Sequence, residues 1–154
     1  MTRAAQMLET YPGDFGFDAK VLAECLAACL ECAQTCTACA DACLAEEHVA
    51  ELRGCITHNA NCADICTATA AVLSRQTAYD ADVTRAVLEA CAAACKACGD
   101  ECAHHSEMGM AHCRVCAEAC RRCEQACRAL LAAGRLRSTG TATNCRCPLP
   151  HSVP

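Results

Sequence analysis

Apolar positions along this chain recur in alternating steps of three and four, and cysteine occupies most of them. The first row is Cys25, Cys29, Cys32, Cys36, Cys39 and Cys43, in steps of 4, 3, 4, 3 and 4. A later row, Cys91, Cys95, Cys98 and Cys102, steps 4, 3, 4, and the last, Cys113, Cys116, Cys120, Cys123 and Cys127, steps 3, 4, 3, 4. This is the 3.5-residue repeat of the a and d positions of a helical bundle, so each row is one stripe along one helix. The second cluster, Cys55, His58, Cys62 and Cys66, steps 3, 4, 4 when the histidine is counted, which places His58 at a seam position.

Four stripes predict four helices, near 18–45, 47–76, 80–106 and 109–133. Ala, Leu, Glu, Gln and Arg, strong helix formers, fill most of the remaining positions. Asp18 and Asp80 are expected as N-caps and Gly134 as a C-terminal stop. Connections of a few residues force neighbouring helices antiparallel, which predicts an all-α, up-down-up-down four-helix bundle with a Cys-lined interior. A weak internal duplication agrees. A shift of 66 carries Cys25, Cys29, Cys32 and Cys36 onto Cys91, Cys95, Cys98 and Cys102, and sets His105 opposite Cys39. A shift of 61 carries Cys55, Cys62 and Cys66 onto Cys116, Cys123 and Cys127.

The bundle should therefore occupy residues 18–133, between an N-terminal segment, 1–17, and a C-terminal tail, 134–154. The N-terminal segment is expected to form a short helix before the Tyr11-Pro12-Gly13 turn and to cover the bundle with Tyr11, Phe15 and Phe17. The tail reads as flexible, and its Cys145, Cys147 and His151 as incidental thiols or a site of metal transfer. Gly54 and Gly99, inside helices, are expected to permit close helix approach.

Composition explains what packs the bundle. The chain has 154 residues, the size of one domain, with 34 alanines but only 23 Leu, Ile, Val and Phe together. Twenty cysteines make up the deficit, because a protonated thiol packs as a small hydrophobe. A net charge of -5 without an aromatic-rich basic patch argues against a nucleic-acid partner. No run approaches the roughly 18 apolar residues of a membrane span. The first residues carry no twin-Arg pair, apolar core or small-x-small site, so a cytoplasmic protein with reduced thiols is expected. A disulfide scaffold fits less well: no proline lies between Pro12 and Pro148, and thiols stacked up one helix are badly placed to bridge one another.

Thiols four residues apart on a helix have Cβ atoms roughly 5–6 Å apart, a gap that one ion with two sulfur ligands can bridge. Zinc needs four ligands converging on a point, whereas these spread along a line. Soft thiolates at low coordination number suit Cu(I). Exchanging a thiol proton for Cu(I) leaves the core charge unchanged, while each zinc tetrathiolate would bury a net -2. Many Cu(I) ions along the stripes are therefore the expected cargo, and the metal-free chain should fold. An iron–sulfur cluster is poorly supported, since Cys147-Pro148 lacks the rest of a cluster motif. A zinc or cadmium thiolate buffer, a copper chaperone holding only a few ions, and a bundle with purely structural cysteines are the alternatives.

The two ends of the bundle differ. Junctions 1–2 and 3–4 share one end, which collects His48, His104, His105, Met108, Met110 and His112 just outside Cys43, Cys102 and Cys113. The other carries Val21, Leu22, Val72, Leu73, Val83, Val87, Leu130 and Leu131. A dry floor and a His/Met mouth follow. Heptad phase selects His105 of its pair as inward-facing, and Met108 and His112 are candidate mouth ligands; the alternative is ordinary solvated or loop residues near a helix terminus. Glu46, Glu47, Glu51 and Glu107 should form an acidic rim. No nucleophile–base pair lies on a cleft, so an enzyme is not expected.

Stripes of CxxxCxxC on four helices with His and Met at one end resemble the copper storage proteins, four-helix bundles with cysteine-lined interiors. The resemblance covers roughly residues 7–133, and the missing leader is similar to the cytosolic class. It implies storage of many Cu(I) ions per protomer, protection against copper toxicity with possible supply to copper enzymes, entry through the His/Met end, and assembly into homotetramers.

Overall fold

The computed structural model describes residues 2–133; Met1 and the segment 134–154, with Gly134, Cys145, Cys147 and His151, lie outside the described residues. The order is α1 (Arg3–Glu9), α2 (Ala19–Leu44), a 3-10 turn (Val49–Leu52), α3 (Arg53–Leu73), α4 (Ala81–Glu107) and α5 (Ala111–Ala133). The starts of α2 and α4 have a local cause. The Asp18 carboxylate accepts from the amides of Lys20 at 2.9 Å and Val21 at 3.0 Å. Asp80 does the same for Asp82 and Val83, both at 2.9 Å. Such caps contribute about 1 kcal/mol each. The end of α4 is set by Gly109, whose φ of +97° turns the chain so that the Met110 amide donates back to the His105 carbonyl at 3.3 Å. The second helix begins later than its predicted residue 47, because 49–52 form a separate tighter turn.

Helix α2 packs on α3 and α5, and α4 packs on the same two; backbones of the diagonal pairs do not meet among the described residues. With short connections this is a square, antiparallel, up-down-up-down bundle. Helix α2 also has the length and apolarity of a membrane span, contrary to the sequence reading. In the fold its stripe is turned inward, where Cys25, Cys29, Cys32, Cys36 and Cys43 are fully buried and Cys39 nearly so.

At the floor, Leu22, Leu73, Leu88 and Leu130 are fully enclosed, while Val83 is 49 % exposed. The expected Val83 contribution is thus taken by Leu88. Asp80 starts α4 in a register that turns position 84 inward and 83 outward, and Leu88 follows 84 one helical turn later. Over this end lies the N-terminal segment. Leu8 and Phe17 are buried, Phe17 meets Tyr79 edge-on at 5.5 Å, and the Tyr11 hydroxyl lies 3.2 Å from Thr77 Oγ1 in the α3–α4 connection.

The two helical glycines part company. A Cβ on Gly99 would stand 3.2 Å from Cys120 Cβ, so α4 and α5 approach closely there. On Gly54 it would meet only Glu101 Oε1, at 3.5 Å, so that glycine permits no close helix approach. Gly99→Val is expected to destabilise the metal-free protein by about 1–3 kcal/mol, and Gly54→Ala to be neutral or stabilising by up to about 1 kcal/mol. Thermal melts of the two variants under reducing conditions check both.

Candidate metal centre

Because each of the four helices turns its a/d stripe inward, the thiols converge on one axis. All 18 cysteines of the described residues are free and buried. Diagonal helices, too far apart for backbone contact, touch through sulfur. Cys29 meets Cys91 at 3.9 Å and Cys36 meets Cys98 at 3.9 Å, while across the other diagonal Cys66 meets Cys123 at 3.9 Å. Neighbouring helices add Cys36–Cys120 at 3.6 Å, Cys66–Cys95 at 3.6 Å and Cys25–Cys127 at 3.8 Å. Sulfur therefore runs from the floor to the mouth.

Several quartets have ligand atoms all within 4.8 Å of one another, and they share members. Cys32 belongs both to Cys32, Cys62, Cys66, Cys95 and to Cys32, Cys36, Cys62, Cys120; Cys36 and Cys120 recur with Cys98 and Cys116. Isolated tetrahedral sites would each need four private ligands, so they cannot all be filled at once. Ions bridged by shared sulfurs can be. The geometry is that of a continuous ligand field, with room for many ions at low coordination number.

At the mouth, Cys39, Cys43, Cys113 and His112 form one such quartet. The His112 Nδ1 lies 3.5 Å from both Cys39 Sγ and Cys113 Sγ, and its Nε2 lies 2.9 Å from Glu46 Oε1. His105 is only 6 % exposed, one a/d step beyond Cys102, and its Nδ1 has no hydrogen-bond partner among the described residues. A buried, unpartnered imidazole nitrogen is costly unless a ligand completes it. Its neighbour His104 is exposed, as is His48. Met110 packs against the core, whereas Met108 is 58 % exposed. The expectation of Met108 as an inward ligand is thus corrected: the row Cys98, Cys102, His105 steps next to 109, so position 108 falls outside the stripe.

His58 is corrected as well. It is exposed on the outer face of α3, and the seam position belongs to Asn59, which is fully buried. The row is Cys55, Asn59, Cys62, Cys66, in steps of 4, 3 and 4, the same alternation as on the other helices. Asn59 is the functional-site residue that sequence reasoning missed, and that regular step was the available signal. Its Oδ1 accepts from Cys116 at 3.0 Å and Cys98 at 3.3 Å; its Nδ2 donates to Cys55 at 3.5 Å and Cys102 at 3.8 Å. One amide thus ties three helices at the level between the mouth thiols and the deeper ones.

Burial in this sulfur-lined interior opposes thiolate formation. It pushes Cys43 and Cys113 above the ordinary thiol value, with the charge of nearby thiols adding to the effect. Deeper in, Cys36 is pushed up by its hydrogen bond with Cys116, and Cys66 and Cys95 by theirs with Cys123. Cys25 goes the other way, drawn down to about 5 by its hydrogen bond with Cys127. At His112 burial opposes charge, but the bonds to Cys39 and Glu46 outweigh it and raise its pKa.

Comparison with known proteins agrees with this chemistry. The family model for copper storage proteins matches residues 18–132, the whole bundle. The copper storage protein Ccsp of Streptomyces lividans, in a structure loaded with 10 copper equivalents, is 64 % identical. It covers 84 % of this chain and 98 % of its own, with a TM-score of 0.82. A cytosolic copper storage protein from Streptomyces lividans, in a structure with five coppers, is 68 % identical, covering 73 % of this chain and 93 % of its own at a TM-score of 0.71. No curated protein matches. Four inward rows of thiols, a family model spanning all of them and relatives of such identity agree: the chain belongs to the copper storage protein family.

Proposed function

We propose that this protein stores copper as Cu(I) in the cytoplasm, holding many ions on the thiolates of its bundle and releasing one proton for each thiol that binds. The carrying observation is the overlap of the sulfur quartets along one buried axis, which makes the bundle a single extended store. Charge supports the oxidation state, since a monovalent ion replacing each proton leaves the dry interior neutral. The bundle cysteines are the principal ligands, with His105, His112 and Met110 serving the mouth. His58 and Met108 face solvent and take no part in the interior. The working unit is residues 18–133, closed at the floor by the segment before it, and the family resemblance supports a homotetramer. The role is storage rather than catalysis.

Anaerobic titration with Cu(I) against a competing chelator, beside a free-thiol count, tests this. Uptake of about one Cu(I) per bundle thiol, near 18, is the expected result, with sulfur-to-copper charge-transfer absorption and proton release. Saturation at one to four ions would overturn storage in favour of a chaperone. Complete retention of Zn(II) against Cu(I) would overturn the choice of metal.

A further inference from the structure

Imidazole binds a metal through a lone pair, and a neutral ring has only one nitrogen free to offer it. Which nitrogen is free, and which way it faces, is decided by the partner of the other. At the mouth that partner is Glu46. The turn after α2 carries it, with its amide donating to the Cys43 carbonyl at 3.4 Å, and its Oε1 lies 2.9 Å from His112 Nε2. An ionised carboxylate only accepts, so the bond places hydrogen on Nε2 and leaves the Nδ1 lone pair toward Cys39 and Cys113, each 3.5 Å away. A ring turned over would present carbon to those sulfurs instead. The contact also joins the turn of the α2–α3 hairpin to the start of α5 in the second.

We propose that Glu46 is a positioning residue of the mouth, fixing the tautomer and ring orientation in which His112 Nδ1 joins Cys39 and Cys113 as a ready-made set for the entering copper. This rests on the reading of His112 as a mouth ligand, and the experiment separates the two. Transfer of the first Cu(I) equivalent from a chromophoric chelator is followed by stopped flow in the parent, Glu46→Ala, Glu46→Gln, His112→Ala and the Glu46→Ala/His112→Ala double variant, with total capacity measured for each.

Glu46→Ala is expected to slow the first transfer about tenfold with the same final capacity, the usual range for losing the partner of a ligating histidine. Glu46→Gln keeps an acceptor without the charge, so it should restore most of the rate. Glu46→Ala should add nothing in the His112→Ala background, because the effect passes through the ring. If Glu46→Gln is as slow as Glu46→Ala, or if the two losses multiply, the residue acts by rim charge and the proposal fails. A Glu46→Ala rate within twofold of the parent also defeats it. His112→Ala with an unchanged rate would defeat the mouth-ligand reading itself. Nitrogen-15 shifts of His112 in the metal-free protein give an independent readout: an Nε2–H tautomer in the parent that becomes mixed in Glu46→Ala supports the proposal, and an unchanged pattern opposes it.

Discussion

The metal-free protein is expected to unfold in alkali, between about pH 9 and 11, while the copper-loaded protein passes through the same range with its helices intact. In the unfolded chain thiols ionise near about pH 8.5. In the fold, Cys43 and Cys113 are held protonated by burial, and Cys36, Cys66 and Cys95 by their bonds to neighbouring sulfur. Above the ordinary thiol value the native state therefore binds more protons than the unfolded one, and stability falls as pH rises. Thiols drawn down, such as Cys25, add no slope in this range. Each proton retained contributes about 1.4 kcal/mol per pH unit, so a few such thiols are enough to exhaust, within a few pH units, a total that is ordinarily about 5–15 kcal/mol. Copper replaces these protons and abolishes the slope. The loaded form carries the same lysines and tyrosines, so it controls for their titration. Helical circular dichroism under anaerobic, reducing conditions makes the comparison. Intact helices in the metal-free protein at about pH 12 would show that the tube ionises in place, against the desolvation argument.

That the interior is built from sulfur was legible because the 3.5-residue repeat fixes direction as well as element type. Cys29 and Cys91 meet on the axis for the same reason that they recur every three or four positions on their own helices. Capping carboxylates were legible too, since Asp18 and Asp80 each stand immediately before an apolar-periodic run. The sequence is misleading where two registers compete. Counting His58 gives the second row steps of 3, 4 and 4, yet the step from Cys55 to Asn59 repeats the strict alternation of the other rows, and one residue on a helix turns a side chain by about 100°. Met108 is the same case: the row Cys98, Cys102, His105 steps next to 109, so 108 lies off the stripe. The Glu46–His112 contact was invisible for a different reason, because a residue after one helix meets the start of another only once both hairpins have packed.

Asn59→Asp is expected to be among the most damaging single changes in the bundle at neutral pH, although it scarcely alters shape. Asn59 is fully buried, and its hydrogen bonds go to Cys55, Cys98, Cys102 and Cys116, with no cation among them. A carboxylate there loses its hydration, surrenders both N–H donors and faces sulfur on every side, so its pKa rises. A shift of about 3 units would remove about 4 kcal/mol at neutral pH, lowering the melting temperature by roughly 10–20 °C. The sign with pH is set by the raised value. Below about pH 4 the carboxyl is neutral in both states and most of the loss disappears; the loss then grows as pH rises toward the folded pKa. Asn59→Leu separates charge from shape, since it should destabilise by only about 1–3 kcal/mol and without this pH dependence. Loading with copper should narrow the deficit of the aspartate variant, because one fixed negative charge in a tube otherwise neutral per thiol admits one further monovalent ion. A variant as stable as the parent, with a flat pH profile from about 4 to 8, would show that water reaches Asn59 and that the interior is not the dry medium on which the preference for Cu(I) over zinc depends.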